Sequence, residues 1–272
     1  MRFDLITIFP EFFVGPLDVG VLRRARERRL VEVQTMDLRS FTHDRHRTVD
    51  DRPYGGGEGM VLKPEPIFEA VRSLGVAAKG ERRGERVLLL SAQGRPFTQA
   101  VAHELAATER VVLLCGRYEG VDERVSELLC DEEISIGDYV LSGGELGAAV
   151  IVDAVVRLLP GVLGNPDSAR YESFGAVEAH DGVKIDGIPR STYGSGGLLD
   201  YPHYTRPETF QGATVPALLS GGDHEAIRQW RRRKSLEKTL RNRPDLLVRA
   251  ALGDEDERIL AELRREIKAV SG

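Results

Sequence analysis

The first 160 residues alternate short apolar runs with segments of helical periodicity, and this alternation constrains the fold most. Phe3 to Phe9, Val31 to Leu38, Arg86 to Ser91, Arg110 to Cys115 and Glu132 to Ile136 read as strands. Between them, Val14 to Leu30, Glu65 to Leu74, Thr98 to Thr108, Val121 to Cys130 and Gly144 to Leu159 read as helices. The Val-Leu-Leu-Leu core of the third strand and the Val-Val-Leu-Leu core of the fourth are apolar without alternation. A strand of that kind is buried on both faces, which predicts a parallel sheet with helices on either side.

The composition changes near Gly161. Gly161 to Gly197 is rich in Gly, Asp, Ser and Pro and has little periodicity, so it reads as a long linker. Beyond it, His224 to Leu240 and Asp254 to Val270 read as helices, with breaks at Pro244 and Gly253. The expected layout is an α/β domain over 1–164, a flexible linker with an insertion over 165–197, and a small helical domain over 198–272.

No apolar run approaches the ~20 residues of a membrane helix, and Met1-Arg2-Phe3-Asp4 lacks a signal-peptide pattern. A cytoplasmic protein is expected, in which Cys115 and Cys130 are neither a zinc site nor a disulfide. The formal net charge of −5 argues mildly against a nucleic-acid partner, but the charge is uneven. Between Arg228 and Arg243 stand eight bases against one acid, Glu237. Such a stretch can neutralise phosphates, or it can be a solvated face balanced by the acids from Asp254 to Glu257.

Open parallel sheets bind ligands at the carboxyl ends of their strands. Three such ends run into loops suited to close backbone approach: Leu90 to Gly94, Cys115 to Gly120, and Ile136 to Gly144. The third leads into a helix through the capping-box pattern Ser142-Gly143-Gly144-Glu145. One glycine loop is an ordinary turn, whereas three at successive strand ends suggest a small-molecule pocket. A P-loop is absent, Met60 spoils the dinucleotide fingerprint in Gly55 to Met60, and there is no G-x-S-x-G elbow. The six histidines lack metal-ligand spacing. The residues alone therefore lead to a ligand without a phosphate chain, beside a nucleic acid.

Three segments carry a more specific message: Phe41 to Gly57, Gly116 to Asp122 with Ile136 to Glu145, and Leu198-Leu199-Asp200-Tyr201-Pro202-His203-Tyr204-Thr205-Arg206-Pro207. Together they resemble the bacterial tRNA (guanine-N1-)-methyltransferases of the TrmD type, over nearly the whole chain except Gly175 to Gly197. The resemblance implies a SPOUT-class α/β sheet with a C-terminal trefoil knot, followed by a small all-helical tRNA-binding domain. It also implies an obligate homodimer with tRNA as partner, S-adenosylmethionine as cofactor and a requirement for Mg2+, although no metal ligands are identifiable. The cofactor contacts carried over are Leu89, Leu90, Ser91, Gly116, Tyr118, Glu119, Gly120, Ile136, Gly137, Asp138, Tyr139, Val140, Leu141, Gly143 and Gly144. The tRNA contacts are Asp50, Arg52, Gly59, Ser168 and Asp200, with Arg231, Arg232 and Arg233 from the basic stretch.

The implied reaction methylates N1 of the guanosine 3′-adjacent to the anticodon (position 37). A guanine ring nitrogen is a poor nucleophile until its proton leaves, so the reaction needs a positioned carboxylate base and a cation near the base oxygen. By resemblance the cation is Arg157, which is also an i,i+4 neighbour of Asp153. The family's base is an Asp before Ser-Phe. Here Tyr171-Glu172-Ser173-Phe174 puts Glu172 in its place, one methylene longer, with Asp167 as the alternative. Two other readings stand beside this one: a non-catalytic RNA-binding protein with a degenerate pocket, and a SPOUT methyltransferase acting on another RNA.

Overall fold

The computed structural model describes residues 1–164, 172–175, 184–185, 188–189, 195–250 and 252–270. Its contacts divide into two compact units, Met1–Gly164 and Asn165–Gly272.

The first unit is α/β. Its central sheet contains β1 (Arg2–Thr7), β2 (Glu32–Asp37), β5 (Glu85–Pro96), β6 (Arg110–Cys115) and β7 (Glu132–Ser135) in the order β2-β1-β6-β5-β7, with every pairing parallel. A separate antiparallel ribbon joins β3 (Asp50–Asp51) to β4 (Val61–Leu62). The helices are α1 (Gly20–Glu27), α2 (Pro64–Ser73), α3 (Gln99–Ala106), α4 (Glu123–Leu128) and α5 (Glu145–Val156).

The apolar strands divide their residues between two cores. Leu88, Leu90, Val111 and Leu113 pack on the face covered by α1, α3 and α5. Val87, Leu89, Val112 and Leu114 pack on the face covered by α2 and α4. A period-two backbone thus needs apolar residues at every position, which is why these strands do not alternate.

Three elements depart from the sequence reading. The helix expected from Val14 begins at Gly20. Pro10–Phe13 and Pro16–Asp18 form 3-10 turns instead, and Gly20 has a left-handed φ of 59°. The third strand does not end at Ser91. It continues to Pro96 through a register shift between Leu90 and Arg95, a bulge that re-aims the strand beside the pocket. The capping box before α5 does not form: Gly144 is the N-cap without a side-chain hydrogen bond, and Glu145 turns elsewhere.

The second unit contains α6 (His224–Asn242), α7 (Pro244–Leu247) and α8 (Asp254–Val270), with short antiparallel pairs at Lys184–Ile185/Ile188–Pro189 and Thr209–Phe210/Ala213–Thr214. The Asp223 carboxylate caps α6 by accepting from the Ala226 N–H at 3.0 Å. The buried core is small: Leu198, Leu236, Leu260 and Leu263. Ion pairs supplement it. Arg232 and Asp256, both largely buried, form a two-bond fork at 2.7 Å.

Of the two readings of the basic stretch, the pairs of Arg228 with Glu255 and Arg232 with Asp256 fit the face balanced by the acids from Asp254 to Glu257. Arg228 bonds Glu225 and Glu255, Arg233 bonds Glu262 and Glu266, and Lys234 and Arg241 both reach Glu237. Much of the cationic run thus meets acids within its own unit. Among the described residues, no carboxylate pairs with Arg231 or Lys238.

Candidate active site

The 116–122 loop is held from two sides. On one side, the Glu119 N–H donates to the Met60 carbonyl at 3.1 Å, and the Leu62 N–H donates to the Gly120 carbonyl at 3.0 Å. On the other, the Gly144 N–H donates to the Gly116 carbonyl at 2.9 Å, and Arg117 bridges to Gly143. A cavity of about 220 Å³ opens among this loop, the bulge of β5 and the 136–144 loop.

Every cofactor contact carried over by resemblance lines that cavity except Asp138. Leu89, Leu90 and Ser91 come from β5. Gly116, Tyr118, Glu119 and Gly120 come from the loop after β6. Ile136, Gly137, Tyr139, Val140, Leu141, Gly143 and Gly144 come from the loop after β7. The glycines are there for space. A Cβ on Gly144 would lie 2.8 Å from the Cys115 Cα and 2.9 Å from the Leu90 Cβ. On Gly94, which lies in the β5 bulge, it would run into the backbone of Glu133 and Ile134. Both are backbone collisions that no rotamer relieves.

Sequence reasoning missed the support beneath the cavity. Glu145, fully buried, accepts from the Thr7 hydroxyl at 2.6 Å and from Arg117 at 3.1 Å. Arg117 donates to the Ser142 carbonyl at 3.0 Å and lies 4.6 Å over the Phe9 ring. One carboxylate thereby ties the end of β1, the loop after β6 and the loop before α5. A Cβ on Gly143 would meet this Arg117–Glu145 pair. The sequence offered a competing local role for Glu145, the capping box, which concealed its tertiary role.

The electrostatics of the lining are one-sided. Glu119, Glu123 and Glu133 line the cavity with a single base, Arg117, and Glu145 already pairs with that base. Such a lining favours a cationic guest and opposes a phosphate. Burial and the nearby Glu145 charge hold the Cys115 thiol well above its ordinary range, so it is a packing residue and not a nucleophile.

The remaining site residues fall in both units. Arg157 is the C-cap of α5, its N–H donating to the Asp153 carbonyl at 3.3 Å, and its side chain is half-buried. Asp50 and Arg52 sit at the β3 end of the ribbon, and Gly59 faces the Glu119 side chain at a φ of 81°. In the second unit, the Phe174 N–H donates to the Leu198 carbonyl, the Gly197 N–H donates to the Gly175 carbonyl, and the Asp200 N–H donates to the Ser173 hydroxyl, each at 3.0 Å. Glu172 therefore begins a segment pinned to the 197–200 stretch, and Phe174 has a left-handed φ of 64°. Asp167 and Ser168 lie outside the described residues.

Residues 1–249 match the sequence profile of the family described as tRNA (Guanine-1)-methyltransferase TrmD. This chain belongs to that family. Three relatives carry the name tRNA (guanine-N(1)-)-methyltransferase. The one from Koribacter versatilis is 63% identical over 97% of this chain and 98% of its own length. The Dictyoglomus turgidum protein is 51% identical over 98% of each chain. The Geobacter metallireducens protein is 50% identical over 97% of this chain and 98% of its own.

Proposed function

We propose that this chain transfers a methyl group from S-adenosylmethionine to N1 of a tRNA guanosine, the one 3′-adjacent to the anticodon. Family membership supports the reaction. The observation that carries it to a place in the molecule is the acid-lined cavity at the three strand-end loops. S-adenosylmethionine carries a sulfonium and an ammonium against a single carboxylate. Glu119, Glu123 and Glu133 suit that charge. The cavity thus fits a sulfonium nucleoside better than a nucleotide.

When bound, the cofactor supplies a methyl group already activated by its positive sulfur. The chain's own residues do the rest. Glu172 takes the guanine N1 proton. Arg157 stands by the charge that gathers on O6 as the proton leaves. The loop residues align donor and acceptor. Among the described residues no group of three His, Cys, Asp or Glu side chains could hold a metal; Mg2+ commonly binds through one or two carboxylates together with substrate phosphates.

The proposal includes the finer architecture. The 116–122 and 136–144 loops form the crossings of a trefoil knot, and the second unit is the helical tRNA-binding domain reached through a linker over 165–197. Two such chains form the working dimer. Leu146 and Val150, four residues apart on α5, are 51% and 47% exposed, and Val140 in the pocket loop is 88% exposed. These side chains are candidates for the surface that a partner would cover. No described helix is long and apolar enough to cross a membrane, and the cytoplasm, where tRNA is, is the proposed location.

Calorimetry tests the cofactor assignment. The wild-type chain should bind S-adenosylmethionine at one site per chain, and Gly143→Val should abolish binding by breaking the Arg117–Glu145 support. A wild-type chain without affinity, or a Gly143→Val chain with undiminished affinity, contradicts the placement.

A further inference from the structure

The second unit has a cleft of about 460 Å³ between the Tyr201–Arg206 segment and α6. We propose that this cleft receives an unpaired nucleobase of the tRNA, distinct from the guanine that is methylated. The proposal rests on the tRNA reading above and adds a second point of base recognition, in the other unit.

Three observations carry it. First, the Tyr204 and Trp230 rings stand 6.3 Å apart at 53°. The rings are a tilted contact pair and not a parallel stack, and Tyr204 is 51% exposed, so it can offer a face to a guest. Second, Arg231 borders the cleft with its guanidinium 4.8 Å over the Tyr201 ring. Its neighbours Arg228, Arg232, Arg233 and Lys234 are each tied to an acid. Among the described residues no carboxylate pairs with Arg231, and Arg206 adds a second cation to the lining. Third, Glu208 and the Ser220 hydroxyl line the same cleft and add hydrogen-bonding groups of both kinds.

Chemistry selects the occupant. A bare phosphate would use Arg231 but not two aromatic faces. An apolar peptide would use the rings but neither the Arg231 guanidinium nor Glu208. A nucleobase uses all of them: its face stacks on Tyr204 or Trp230, its edge bonds Glu208 or Ser220, and its phosphate meets Arg231. Bases in a duplex present no free face, so the nucleotide comes from a loop or bulge.

The molecule supplies its own reporter, because Trp230 is the sole tryptophan. Full-length protein is titrated with a tRNA transcript, with emission followed alongside filter binding. Trp230 emission should be quenched with the same midpoint as filter binding, and should still be quenched when the target guanosine is replaced by adenosine. Tyr204→Ala should weaken tRNA binding roughly 5- to 100-fold, the range of one lost base stack. Tyr204→Phe should bind as wild type, and S-adenosylmethionine affinity should stay level in both variants. Filter binding with unmoved emission, or wild-type affinity in Tyr204→Ala, overturns the proposal. So does quenching that disappears with the target guanosine while binding persists, since the cleft would then hold the methylated base. Emission that follows protein concentration and not tRNA would place a second copy there and also overturn it. An absence of filter binding by the wild-type chain instead sinks the tRNA reading, and this proposal with it.

Discussion

At the scale of single residues, the proposed reaction depends on a carboxylate that the family's usual pattern does not supply in its usual form. Glu172 replaces the expected aspartate, and its segment is pinned by the Phe174 and Asp200 backbone bonds. The extra methylene moves the carboxylate by about one bond length, which side-chain torsions can absorb while the backbone stays fixed. Glu172→Gln should lower turnover about 10²–10⁴-fold, the usual cost of a lost general base, with S-adenosylmethionine affinity unchanged. Glu172→Asp should retain more activity than Glu172→Gln. Asp167→Asn is the control. Single-turnover methylation rates decide between the two acids, and a rate abolished in Asp167→Asn but kept in Glu172→Gln moves the base to Asp167.

The same scale shows what the sequence could reveal. The glycines at 116, 120, 137, 143 and 144 are legible as a pocket because they recur at successive strand ends, where a parallel sheet binds its ligands. Glu145 is not legible. A glutamate three residues after a serine at a helix start has a sufficient local role, and only the fold brings Thr7 and Arg117 to it. The Arg231 to Arg233 run is legible as charge, and the acids from Asp254 to Glu257 are legible as a possible balance, but which base meets which acid is not: Arg232 pairs with Asp256 and Arg233 with Glu262.

At the scale of elements, the long parallel strands are readable from composition and the bulge in β5 is not. Val87 to Leu90 is apolar because both faces are covered. The continuation to Pro96 is polar and turns through Gly94, so it resembles a loop until β7 pairs with it. The late start of α1 has a visible cause, Pro16 and Gly20, which a basic helical pattern outweighed.

The second unit's helices depend on charge because their apolar core is small. Burial acts to raise the Asp256 carboxyl, but the Arg232 fork, the Gly253 N–H and the Arg228 charge together outweigh it and hold the group below its ordinary value. A carboxyl depressed in the folded state stabilises above its unfolded pKa, near 3.9, and that stability is lost as pH falls through the folded value. Trp230 emission should therefore report a melting temperature for this unit that falls below about pH 4. Asp256→Asn should lower the melting temperature at neutral pH and weaken its acid dependence. Asp256→Ala, which leaves Arg232 without its fork, should cost about 3 kcal/mol. A wild-type melting temperature that stays level from pH 6 to pH 3 would show that the fork contributes nothing.

At the scale of the whole molecule, the proposed base and the proposed cation belong to different compact units, Glu172 to the second and Arg157 to the first. The proposed dimer brings them together across chains. Mixing Glu172→Ala with Arg157→Ala chains tests this, because one of the two sites in a mixed dimer then keeps both groups. Activity should recover to a fraction of wild type after subunit exchange. Activity that stays at the level of the parents, with exchange confirmed, places both groups in one chain's site.

The central claim is the reaction itself, and product analysis reaches it most directly. Purified protein is incubated with S-adenosylmethionine and tRNA transcripts that differ only in the base 3′-adjacent to the anticodon, and the nucleosides are then resolved by mass spectrometry. The account predicts N1-methylguanosine in the transcript with guanosine there and none in the transcript with adenosine. Methyl transfer to a ribose, to another ring atom or to another nucleotide, or no transfer despite intact cofactor binding, would contradict it.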